Sequence, residues 1–517
     1  MSLTTAGRPA PVAGPRHTDR PSGSPGAPAP DRLRWTGFGG ALLLTGAAWA
    51  GVSSSPSSAA ATLSLAAGVT GVGLLVLSWA LLGRALATGP TPPSARRLTR
   101  TLALWCAPLL VAPPLFSGDV FSYLAQGEIA ARGLDPNLVG PAQGLGAASE
   151  VVGRVGEHWR DTPSPYGPLF GAVERLVAQV SAGDPVTGVL LHRLGGVAGL
   201  VLVVWAVPRL ASATGASRRG ALWLGVLNPL VLWHLVAGAH NDSLMLGLML
   251  AGTAVALGAL GMPGAPGRPG ARVEWWALAV GVVLIALAAQ VKLPALVALA
   301  VVGTALARRR GGGLGDFLLA GLGMAAAFAV VSAAVSSATG LGFGWVGALG
   351  TSGRVSSWMA PTNWFGFLVG AAGSAFGAQV TQAAIGVGKV LGSALAVCGI
   401  GVVLRRQWGG RVDAVTSLGL ALGLVVAFGP VVQPWYLLWA VVPLAATRLP
   451  VRARTGLGAL VAVFAVLVPP LAGDFTGRVG QLVLGYAVAA LVVGMAFALL
   501  REDRAPAYVR RARAARA

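Results

Sequence analysis

The chain has 517 residues, is 55% hydrophobic and only 11% charged, and has a mean hydropathy of +0.72. Apolar runs of membrane-spanning length recur from Trp35 to Leu500, which excludes a soluble domain and points to a polytopic membrane protein. A net charge of +21 would suggest nucleic acid as the partner of a soluble protein, but the arginines here lie in the tails and between apolar runs, where they set topology and touch anionic lipid.

Residues 1–34 are rich in Pro, Ser, Gly and Arg with no hydrophobic stretch, so a disordered cytoplasmic tail is expected rather than a cleaved signal peptide. Residues 35–500 form the transmembrane domain, and residues 501–517 a short Arg-rich cytoplasmic tail. Arg clusters recur in the first tail, at Arg84 to Arg100, Arg209 to Arg219, Arg268 and Arg272, and Arg308 to Arg310. They continue at Arg405 to Arg411, at Arg448 to Arg454 and after Arg501. If all are cytoplasmic, each interval between clusters holds an out-and-back pair of helices, and both termini lie inside. The expected fold is therefore an all-α polytopic bundle of about 12–14 transmembrane helices, the higher number if every pair is complete. Cys106 and Cys398 fall inside apolar runs, so free buried thiols are expected and no disulfide or metal framework.

The outward ends of these hairpins collect the polar residues that topology does not explain. The first is a long extracytoplasmic loop over residues 116–187. Asp119 opens a helix over Val120 to Arg132, ended by Gly133 with Pro136 beyond. Two roles are open for it, a helix N-cap and a catalytic carboxylate, and they are compatible. Tyr123 and Glu128 lie on the same helix, where Glu128 could share an interfacial face with Phe121 and Leu124, as a solvated or structural charge. Further along, Asp135, Glu150, Glu157, His158 and Asp161 sit in a segment of loop chemistry, and Pro163-Ser-Pro-Tyr166-Gly-Pro168 argues for an ordered turn. Tyr166 either lines a sugar site or anchors at the interface.

His240-Asn241-Asp242 joins two apolar runs. A tight turn with Asp242 or Ser243 as cap accounts for part of this, but three consecutive hydrogen-bonding side chains exceed what a cap needs, so substrate hydroxyl binding is expected. No second ligand pair with metal spacing accompanies it, so a divalent metal is unsupported. Lys292, in the reversal Gln290-Val-Lys292-Leu-Pro294, faces outward against the positive-inside bias and suits an anion such as a lipid-linked phosphate. Arg354 and Arg478 are weaker candidates for the same role. Gln433, Trp435 and Tyr436 begin a helix at a Pro, as interface anchors or as rings on which a sugar stacks.

Taken in order, Ser117-Gly-Asp119-Val-Phe-Ser-Tyr123, Gly133-Leu-Asp-Pro-Asn137, Ser164-Pro-Tyr-Gly-Pro-Leu169, His240-Asn-Asp242, Lys292-Leu-Pro294 and Gln433-Pro-Trp-Tyr436 resemble a known family. It is that of the polyprenol-phosphate-mannose-dependent alpha-1,6-mannosyltransferases of the MptA/MptB type, in the GT-C glycosyltransferase superfamily. The resemblance spans about Trp35 to Leu500 and excludes both tails. It implies a GT-C bundle in the cytoplasmic membrane with its active site outside, a polyprenyl-phosphate-mannose donor, a mannan or lipoglycan acceptor such as lipomannan, and no cofactor. By position Asp119 would be the catalytic base, with His240, Asn241, Asp242 and Lys292 binding substrate. A GT-C enzyme for another lipid-linked sugar such as arabinofuranose, and a lipid-linked-sugar transporter or flippase, are the alternatives. Against a transporter, the polar residues gather on one face and no inverted repeat is visible.

Overall fold

The computed structural model describes residues 30–502 apart from 90, 262–271, 349, 351–355, 472–474 and 476. Its elements are helical throughout, and the described residues contain no strand beyond one isolated bridge between Leu115 and Leu471. The first helices are α1 (Pro30–Val52), α2 (Ala59–Thr88) and α3 (Ala95–Leu109). The segment after α3 carries α4 (Asp119–Ala131), α5 (Pro141–Leu145), α6 (Glu150–Arg154), α7 (Glu157–Arg160) and α8 (Pro168–Ser181). Next come α9 (Pro185–Thr214), α10 (Arg218–Ala221), two π-helical turns at Leu222–Val226 and Val231–Ala237, and α11 (Asp242–Ala259). The chain continues through α12 (Trp275–Ala289), α13 (Leu296–Arg310), α14 (Leu314–Thr339), α15 (Gly344–Ala348), α16 (Pro361–Ser374) and α17 (Thr381–Trp408). It closes with α18 (Ala414–Phe428), α19 (Leu437–Ala445), α20 (Val451–Leu467) and α21 (Val479–Glu502).

Six of the described helices are long and apolar enough to cross a bilayer, namely α2, α9, α11, α14, α17 and α21 to Arg501. A seventh span arises if the pair broken by 62° around Asn228-Pro229 counts as one. That is fewer than the expected 12–14. The physical reason is length: α12, α13 and α18 have 15 residues each, about 22 Å of helix, short of a hydrocarbon core of about 30 Å.

Packing follows the rule for helices in lipid, where small residues let backbones approach and dispersion replaces the hydrophobic effect. A Cβ on Gly40 would lie 2.8 Å from the Gly71 carbonyl, which clamps α1 on α2. On Gly247 it would lie 2.4 Å from the Gly199 carbonyl, joining α11 to α9. Trp79 and Trp223 stack at 4.9 Å, and each indole donates to the other's backbone carbonyl at 3.0 and 2.8 Å.

Three expectations change in detail. The first tail is expected to reach residue 34, yet α1 already begins at Pro30, and residues 1–29 and 503–517 lie outside those described. Residues 116–187 carry five helices and the start of α9, more than the one helix expected over Val120 to Arg132, with α4 laid on α8 because Gly127 brings its backbone against the Glu174 carbonyl. Cys106 is buried, but Cys398 is exposed on α17.

Candidate functional site

Three polar turns meet although the sequence separates the first from the second by more than a hundred residues and the second from the third by 50. The first is Phe116 to Asp119. Phe116 holds φ of 63°, a left-handed conformation that costs a residue with a Cβ about 1–2 kcal/mol. It is held there by stacking on Trp233 at 5.3 Å and by its N–H donating to the Pro470 carbonyl at 3.0 Å. Gly118 is the N-cap of α4, and the Asp119 N–H donates to the Ser117 hydroxyl at 3.1 Å. No side chain caps this helix, so the capping role open for Asp119 is not taken up and its carboxylate is left to the cavity beside it.

The second turn follows the bent π-helical pair. Ala239 takes φ of 53°, and the His240 N–H donates to the His234 carbonyl at 3.0 Å. His240 is buried, stacks on Trp435 at 3.9 Å and places Nδ1 3.5 Å from Asp119 Oδ2. Asp242 or Ser243 is expected to cap α11, but the N-cap is Asn241 and no side chain caps the helix. The Asp242 carboxylate, fully buried, instead accepts both Lys292 (Nζ to Oδ1 3.1 Å, to Oδ2 2.9 Å) and the Trp439 indole N–H at 2.7 Å.

The third turn is Lys292 itself, extended between α12 and the short 3-10 turn Leu293–Ala295. Its ammonium lies 4.6 Å from the Tyr436 ring centre and 5.3 Å from that of Trp439, within cation–π range. The Lys292 expected to wait for an anion is therefore already paired, yet its side chain keeps 14% exposure toward the cavity. Gly167 explains how the Pro-Tyr-Gly-Pro run reaches this turn. A Cβ there would lie 2.4 Å from the Gln290 carbonyl, so only glycine lets the start of α8 lie on the α12 end.

A cavity of about 260 Å³ opens between these turns. Asp119, Tyr166, Lys292, Gln433, Trp435 and Tyr436 line it, and its volume is just under the usual range for ligand pockets. Burial raises the Asp119 carboxyl from 3.8 to about 6, against the lowering effect of the Ser117 hydroxyl and the Lys292 charge, while Asp242 adds to the rise. Burial also pushes Lys292 down, but Asp242 and its neighbours outweigh it and the ammonium is held above its ordinary value. Burial and the Lys292 charge drive His240 well below the usual imidazole range, so it is neutral. The arrangement thus offers a carboxylate able to take up a proton near neutral pH beside a fixed cation and an aromatic wall.

Not every expected residue joins it. Tyr123 is buried behind Tyr166, edge-on at 5.6 Å, in a cluster with Phe170 and His192. Glu128 pairs with Arg132 on α4 and lines a separate cavity with Glu150 and Arg154. Asn241 is buried, its amide without a hydrogen-bond partner among the described residues. Arg354 lies outside the described residues, and Arg478 donates to the Pro56 carbonyl at 3.1 Å beside a different cavity. Among the described residues no three His, Cys, Asp or Glu side chains are grouped as metal ligands.

Two contributors are missed by sequence reasoning. Trp439 fixes Asp242 yet sits in an apolar run with no local signal. Arg193, buried in α9, donates to the carbonyls of Leu110 (2.9 Å), Pro113 (3.2 Å) and Ala237 (2.8 Å). It thereby ties the segment leading to Asp119 to the turn leading to His240. An arginine inside a 30-residue apolar helix is itself the overlooked signal.

Residues 34–308 match the family described as alpha-(1->6)-mannopyranosyltransferase, N-terminal domain, and residues 362–498 match the MptB C-terminal domain. The chain is similar to a probable alpha-(1->6)-mannopyranosyltransferase of Mycolicibacterium smegmatis, with 41% identity over 85% of this chain and 80% of that protein. An alpha-(1->6)-mannopyranosyltransferase of Mycobacterium tuberculosis is 40% identical over the same shares. Alpha-(1->6)-mannopyranosyltransferase B of Corynebacterium glutamicum is 35% identical over 72% of this chain and 64% of that protein. No solved structure matches the chain.

Proposed function

The chain belongs to the alpha-(1->6)-mannopyranosyltransferase family, and from that premise we propose that it moves mannose from polyprenyl-phosphate-mannose to the 6-hydroxyl of an α-1,6-mannan-type acceptor. The observation that supports this most is the meeting of Asp119, Lys292 and an aromatic wall on one cavity. Asp119 acts as general base, taking the acceptor hydroxyl proton as that oxygen attacks C1 of the donor sugar. The C1–O bond to phosphate breaks, its electron pair leaves with the polyprenyl phosphate, and a β-linked donor gives an α-linked product. The departing phosphate needs charge stabilisation but no proton, a task for Lys292 at the cavity wall. Tyr166, Trp435 and Tyr436 supply rings for the sugar, and Gln433 a hydrogen-bonding amide.

In this reading the fold is a GT-C bundle in the cytoplasmic membrane with about 12–14 crossings, both termini inside and the Asp119 cavity outside. The end of α18 and the turn after α12 line that cavity and α11 is tied to it through the Asp242–Lys292 pair, while the Arg-rich ends of α13 and α17 lie away from it. Purified protein given synthetic polyprenyl-phosphate-mannose, polyprenyl-phosphate-arabinofuranose and a short α-1,6-mannoside acceptor tests it. Growth of an α-1,6-linked product by NMR from the mannose donor alone is expected. A product only from arabinofuranose, or none from either donor, would refute the assignment.

A further inference from the structure

At the far end of the bundle from Asp119 lies a larger cavity that the transfer reaction does not use. Its volume is about 670 Å³, and Arg308, Arg309 and Arg448 stand at its rim while Leu257, Ala305 and Val415 form its apolar wall. The helices fix its position. α11 carries Asp242, the partner of Lys292, at its start and Leu257 of this cavity near its end, and α13 leads from beside Lys292 to Arg308 in its last turn. α18 begins at this cavity with Ala414 and reaches the Asp119 cavity at Val425. Fifteen residues of α11 are about 22 Å, so the two cavities lie at opposite ends of the helix bundle.

We propose that this cavity binds the phosphate of a membrane phospholipid headgroup, with its acyl chains against the apolar wall. Arginines at this end would be expected from topology alone. Three features go further. The guanidiniums come from two separate segments, the end of α13 and the stretch after α19, and converge on one hollow. The guanidiniums lie close over two left-handed glycines at helix ends, that of Arg448 over Gly215 (φ 70°) and Arg308 Nη2 over Gly410 (φ 74°), 2.9 Å from where a Cβ would stand on the latter. Asp413, the acidic residue at the rim, is occupied with capping α18, accepting from Thr416 N–H at 2.9 Å and Thr416 Oγ1 at 2.5 Å. Among the described residues neither Arg308 nor Arg448 is paired with a carboxylate, so a planar donor fork remains for a phosphate. The wall behind them, apolar for most of its area, favours a lipid over free phosphate.

The inference does not rest on the transferase reading. Native mass spectrometry of the full chain in detergent, offered equal phosphatidylglycerol and phosphatidylcholine, tests it directly. Wild type is expected to retain phosphatidylglycerol preferentially, and Arg308→Ala/Arg448→Ala to lose at least about tenfold of that preference. Leu257→Trp, which fills the apolar part without touching charge, should lose the lipid as well. Millimolar inorganic phosphate should leave the lipid in place. Equal retention by wild type and both variants would overturn the proposal, and displacement by inorganic phosphate would overturn its lipid part.

Discussion

Asp119 is held at a cost. A carboxyl raised to about 6 is protonated at low pH without penalty, and the penalty grows as pH rises from the ordinary value of 3.8 and is complete above about 6. Asp119→Asn should therefore raise the unfolding temperature at pH 7.5 by an amount worth on the order of 1–3 kcal/mol, with no gain at pH 4, while abolishing transfer. Thermal unfolding in detergent at the two pH values checks the sign, and an equal effect at both would contradict burial as its source. Lys292 and Asp242 behave as a unit. Lys292→Met leaves a buried carboxylate with only the Trp439 N–H, and should cost about 3–5 kcal/mol. Lys292→Met/Asp242→Asn should recover most of that stability but not transfer. If the double variant turned over like wild type, Lys292 would have no part in the chemistry.

At the scale of elements, the site depends on where backbones touch. Gly167→Ala forces a Cβ against the Gln290 carbonyl and should separate α8 from the Lys292 turn, costing about 1–3 kcal/mol and raising KM for the donor. Gly133→Ala, at the end of α4 where no atom lies within reach but φ is 79°, serves as the comparison: it should strain the turn without moving KM. Arg193→Lys keeps the charge but cannot bond three carbonyls at once. We expect kcat about 10- to 100-fold lower with KM little changed, because Asp119 would drift relative to His240. A matching fall in unfolding temperature with normal kcat would make Arg193 merely structural. The turns at Asp119, His240 and Lys292 were legible because each breaks an apolar run with polar residues that have no topological use. The pairing of Asp242 with Lys292 was not, since an Asp at a helix start reads as a cap until its partner 50 residues away is seen. Trp439 and Arg193 were hidden because pattern reading treats residues inside apolar helices as lipid-facing or core.

Over the whole molecule, hydropathy identified an all-helical membrane protein but not how many helices cross. Helices of 15 residues such as α12 and α18 are too short to be counted by length, and Asn228-Pro229 splits another run into a bent pair. Orientation can be read directly: with Cys106 and Cys398 replaced, a cysteine at His158 should react with an impermeant maleimide on intact cells and one at Ser217 should not. Reaction at Ser217 alone would invert the topology and with it the side on which donor is used. The central claim, that the Asp119 carboxylate takes the proton in mannosyl transfer, is tested most directly by kcat/KM against pH for wild type beside Asp119→Asn. The account predicts a rate that climbs through about pH 6 and levels above it in the wild type, and loss of about 100-fold or more in the variant. A wild-type profile flat from pH 5 to 8, or a variant retaining near-normal turnover, would contradict it.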